Sequence, residues 1–146
     1  VGKLENGSCM YQLLSLQQDM ITRVIDLKNT ETQTIETCFD DSATVSIDKT
    51  FEFMRVGGVY NCKIALFGGT KKMNAGEWHE YTIVKESVVV GDALFVQVQL
   101  GNDYYYVHQE QVLPYLSSKK LMFDCARKDL IQVDEMVNEG LYNWIV

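Results

Sequence analysis

Glu77-Trp78-His79-Glu80 sets an imidazole among carboxylates. On a strand, Glu77 and His79 share a face, so they could form an acid–base pair or two ligands of a metal. Charged residues gathered in a solvated loop give the same pattern. A second constellation is Tyr104-Tyr105-Tyr106-Val107-His108. Period two places Tyr104, Tyr106 and His108 on one face, an arrangement used to stack bases and one enriched at protein interfaces. Tyrosine is also an ordinary residue of a half-buried strand. Third, Asp40 and Asp41, followed by Asp48 and Glu52, form an acidic run. It lacks the fixed ligand offsets of an EF-hand. Exposed acidic loops can instead occupy the cationic groove of a basic enzyme.

Other chemistries find no motif. Gly57-Gly58 and Gly68-Gly69 belong to neither phosphate-binding glycine pattern, and no G-x-S-x-G elbow occurs. Cys9, Cys38, Cys62 and Cys125 contain no C-x-x-C pair and match no zinc spacing. Cys38 and Cys62 fall in apolar strand patterns, where a free thiol behaves as a small hydrophobe. The cysteines therefore read as reduced thiols of a cytoplasmic protein, and no signal-peptide apolar segment is visible. No cofactor or metal is implied, and the chain reads as a non-enzyme.

The 146 residues carry a net charge of −7, with 47% hydrophobic and 23% charged residues. That length and composition fit one globular domain and exclude disorder. Nucleic-acid binding draws on Lys and Arg, so a negative domain would have to gather Lys63, Lys71, Lys72, Lys119 and Lys120 on one face. Adsorption to anionic membranes is disfavoured likewise, and no run of about 18 apolar residues spans a bilayer. A basic protein is the easier partner, since opposite charges steer encounter.

The elements that must position these residues are mostly strands. Residues 1–9 lack periodicity and read as a flexible or artificially appended leader, with 10–146 as a single globular domain. Period two predicts strands over 10–16, 20–27 and 33–39, the last with Ile35 and Phe39 opposing Glu36 and Cys38. It predicts another over 60–66. Residues 70–79 read as a polar loop. Strands over 81–90, 93–100 and 104–109, joined at Gly91-Asp92 and Gly101-Asn102-Asp103, predict an antiparallel meander. Strands 121–125 and 130–133 are expected around a turn at 126–129. A tail helix is expected from Asp134, with Met136, Val137, Leu141, Trp144 and Ile145 on one side.

The expected fold is α+β and β-rich: a curved antiparallel sheet or partly open OB-like barrel with a short C-terminal helix. The leading functional expectation is a non-enzymatic intracellular protein-binding module, an inhibitor or immunity-type protein occluding a basic partner such as a toxin or nuclease. Asp40, Asp41, Tyr104, Tyr106 and His108 would form its binding surface. One alternative is an OB-like barrel binding an oligonucleotide or a small ligand. Another is a small enzyme with its site near Glu77 and His79, which requires a concave pocket there.

Overall fold

The computed structural model describes residues 9–73 and 76–141. The strands among them are β1 (Cys9–Asp19), β2 (Thr22–Asn29), β3 (Ile35–Asp40), β4 (Val59–Gly69), β5 (Glu77–Val90), β6 (Ala93–Leu100), β7 (Asp103–His108), β8 (Lys120–Val133) and β9 (Met136–Val137). The helical elements among the described residues include single turns, α1 (Ser42–Val45) and α2 (Gln109–Val112), and a 3₁₀ segment over Leu113–Ser118 that accommodates Pro114. Chain neighbours β1–β2, β2–β3, β5–β6 and β6–β7 pair antiparallel.

β4 and β8 form the long antiparallel spine of the sheet. From β4 the sheet continues through β1, β2 and β3 and returns to β8 at Phe39↔Asp129. From the same strand it also continues through β7, β6 and β5 back to β8. The sheet thus closes on itself, giving the expected β-rich curved fold. Its interior holds Tyr11, Leu13, Ile25, Leu27, Leu66, Tyr81, Val96, Val98, Leu121 and Phe123. A smaller core lies behind β6, where Phe95, Tyr106, Ile131 and Leu141 meet. β6 is consequently buried on both faces through Phe95–Val98 rather than on one.

Four sequence expectations are corrected. In β3 the parity is inverted: Ile35 is 59% exposed, while Glu36 and Cys38 point inward. β8 runs unbroken through 126–129, because Arg127 lies over the rings of Phe39 and Phe67 and bonds the buried Asp129 at 2.7 Å. The polar residues of the supposed turn are thereby accommodated within a strand. β5 starts at Glu77, so the loop after β4 ends before the Glu77–His79 pair. Asp134 does not cap a helix. It sits at φ 51° in the β8–β9 turn, and its carboxylate accepts the Asn61 N–H at 2.9 Å. Residues 142–146 of the expected helix lie outside the described residues, as do 1–8 of the expected leader; Cys9 opens β1 opposite Cys62.

Candidate functional site

The outer edge of β8 changes partner along its length. Residues 120–125 pair with β5, ending at Glu77↔Cys125, and Asp129 pairs with Phe39 of β3. Over the residues between, β5 and β3 diverge. The β6–β7 turn borders the gap, anchored where the Thr32 and Thr34 hydroxyls donate to the two carboxylate oxygens of Asp103, each at 2.7 Å. The result is a cleft of about 550 Å³ whose lining includes Glu36, Glu77, His79, Asp103, Tyr105 and Lys128.

Its floor is ionic. Glu36 is 0% exposed. One of its oxygens accepts from Lys128 Nζ at 2.7 Å, and the other accepts from the Tyr105 hydroxyl. The Lys128 ammonium also lies 5.4 Å from the centre of the Tyr105 ring. Burial opposes the charge on Lys128, but the hydrogen bond and charge of Glu36 prevail and raise its pKa above the ordinary value. Burial and the adjacent Glu36 carboxylate push the Tyr105 phenol up. Burial likewise pushes Tyr81 up, and takes the Cys125 thiol to about 11. Cys125 is therefore protonated at neutral pH and is not an activated nucleophile. One wall is aromatic: His79 meets Tyr81, and Tyr81 meets Tyr105, edge-to-face at 6.2 Å each. Concavities beside β9, around Ser46 and around Met73 have no buried ionisable side chain in their lining.

The residues expected to bind a partner do not assemble into one surface. Asp40 is 2% exposed; it pairs with the buried Arg23 at 2.8 Å and accepts the Ser42 N–H. Arg23 is its cross-strand neighbour in β2, so this pair ties β2 to β3. Asp41, partly exposed, accepts from Asn138 at 2.7 Å. Tyr106 and His108, at 3% and 4% exposure, pack against Phe95 in the smaller core. Tyr104 is half-buried against the main one.

The lysines are dispersed too. Lys63 stands opposite Gln132 near one end of β8, whereas Lys120 begins the other end, roughly 40 Å away along the strand. Lys119 pairs with Glu86 at 2.8 Å. Glu77 and His79 are the sequence-selected residues that do share a site, one turn of the pleat apart at the start of β5.

Sequence reasoning missed Glu36, Asp103, Tyr105 and Lys128 as parts of that site. A usable signal was the alternation Glu36-x-Cys38-x-Asp40, because cysteine marks the inward face of a strand. Among the described residues, no group of three or more His, Cys, Asp or Glu side chains is placed to hold a metal ion. No helix among them is long and apolar enough to cross a membrane. No family model, curated protein or solved structure matches the chain significantly.

Proposed function

We propose that this chain is a small-ligand-binding β-domain whose ligand occupies the cleft between β3 and β5. The observation that carries the reading is the Glu36–Lys128 ion pair at the floor of an open cleft. A buried ion pair contributes little net stability, and apolar side chains of similar volume do as well or better. A positioned charge beside aromatic walls, in a cavity of this size, is the usual make-up of a ligand site.

The test is a thermal-shift screen of a metabolite panel, run on the wild type and on Ile35→Trp. Ile35 is an exposed lining residue, so an indole there adds bulk at the rim of the cleft without disturbing the core. Ligands that raise Tm only in the wild type support the reading. Equal shifts in both proteins, or no shift from any compound, count against it.

A catalytic reading is favoured by one observation. Of the three carboxylates in the cleft lining, two sit in unlike environments, the buried Glu36 and the exposed Glu77, with His79 beside the latter. Unlike environments divide acid from base roles; turnover lost in Glu77→Gln with ligand affinity retained is its signature. A basic protein partner, as an inhibitor or immunity-type protein would have, is compatible with the charge of −7. It would engage exposed acidic groups rather than Asp40, Tyr106 or His108. Four buried free cysteines suit a reducing, cytoplasmic setting.

A further inference from the structure

Resting on the cleft as the ligand site, we infer that its ligand is an organic cation: an alkylammonium or guanidinium group, on a free small molecule or on a lysine or arginine side chain. Three carboxylates, Glu36, Glu77 and Asp103, line the cleft against the single ammonium of Lys128. Among these four side chains, negative charge is in excess by two. Among the described residues, Asp103 accepts from the neutral Thr32 and Thr34 hydroxyls, which hold it in place without neutralising it. Glu77 is exposed at the mouth.

The cleft also contains its own example of the chemistry. Lys128 is an alkylammonium, and it is received by one carboxylate at 2.7 Å and by the face of one tyrosine. Cation–π attraction and charge-assisted hydrogen bonding are the two interactions that select organic cations. The remaining wall repeats both parts, with Tyr81 and His79 as rings and Glu77 as the carboxylate. An anionic ligand would meet the excess carboxylates, and the Lys128 ammonium is already engaged by Glu36. The chain's charge of −7 adds long-range attraction for cations.

The experiment is a ¹⁵N-HSQC titration of the full chain with putrescine, N-acetyl-lysine amide and N-acetyl-arginine amide. 1,4-Butanediol and succinate serve as neutral and anionic controls of matched shape. The cations are expected to shift amides of residues 34–36, 77–81, 100–105 and 125–128, and the controls to leave them in place. Glu77→Gln, a surface change, is expected to weaken the best cation about fivefold. Preference for putrescine assigns the ligand to free amines, and preference for the capped amino acids assigns it to the side chain of a basic protein. Succinate or butanediol acting at these amides in place of the cations would overturn the cation inference and leave the cleft reading standing. Cation shifts elsewhere, no shifts, or an unchanged affinity in Glu77→Gln would also overturn the inference. Loss of the cleft reading itself is read separately, from the Ile35→Trp comparison.

Discussion

Replacing Lys128 by Met leaves the Glu36 carboxylate at 0% exposure with one hydrogen-bond donor, Tyr105, and no counter-charge. Removing one partner of a fully buried ion pair costs about 3–5 kcal/mol. The Lys128 side chain is 22% exposed, so water offsets part of the loss, and the lower end, about 3 kcal/mol at pH 7, is expected. With a urea m-value of about 2 kcal/mol/M, the midpoint falls by about 1.5 M. The triple variant Glu36→Met, Tyr105→Phe, Lys128→Met removes every charge and donor of the network at similar volume. It is expected to lie within about 1 kcal/mol of the wild type, or above it. Equilibrium urea unfolding of the three proteins decides the matter. A Lys128→Met cost below about 1 kcal/mol would refute the reading of Glu36 as a buried charge that depends on its partner, and a triple variant as damaged as the single one would refute the claim that the network is present for a ligand rather than for stability.

Three further outcomes are expected. Burial lowers the His108 pKa to about 4, below its unfolded value near 6.5, so the unfolded chain binds the extra proton first. His108 therefore contributes about 3 kcal/mol above pH 6.5 that is lost as pH falls toward 4, and His108→Phe removes that slope from urea midpoints measured across the range. Asp129 acts in the opposite sense: burial raises its pKa to about 6 against the pull of Arg127, so it costs stability as pH rises from 4 through 6. Asp129→Asn should thus gain on the wild type by up to about 3 kcal/mol over that interval, and parallel pH profiles would sink the idea. Finally, a Cβ at Gly68 would overlap the Asp124 carbonyl oxygen, whereas one at Gly69 meets nothing within 4 Å. Gly68→Ala is expected to cost about 2–3 kcal/mol and Gly69→Ala under about 1 kcal/mol, read from thermal or urea unfolding.

Features set by local sequence are legible in it. Gly91 and Gly101 adopt positive φ in the two tight turns, and β6 occupies the expected residues 93–100. Long-range partners account for the misreadings. The inward face of β3 is polar because Glu36 is satisfied by Tyr105 and Lys128, 69 and 92 residues away, which no local window contains. The supposed turn at 126–129 looked polar for the same reason: Arg127 is stabilised by Phe39 and Phe67, on two different strands. Glu77 and His79 were legible because strand spacing alone puts them on one face. The rest of the cleft is assembled from β3, β7 and β8, where the sheet divides, and topology of that kind leaves no mark on composition or period.

The most direct test is a crystal structure of the chain with the tightest compound from the metabolite and cation panels. The compound is predicted to lie between Glu36, Glu77 and the Tyr105 ring, with its cationic group toward Glu77. Ordered ligand elsewhere on the sheet, with the cleft filled only by water, would contradict the account.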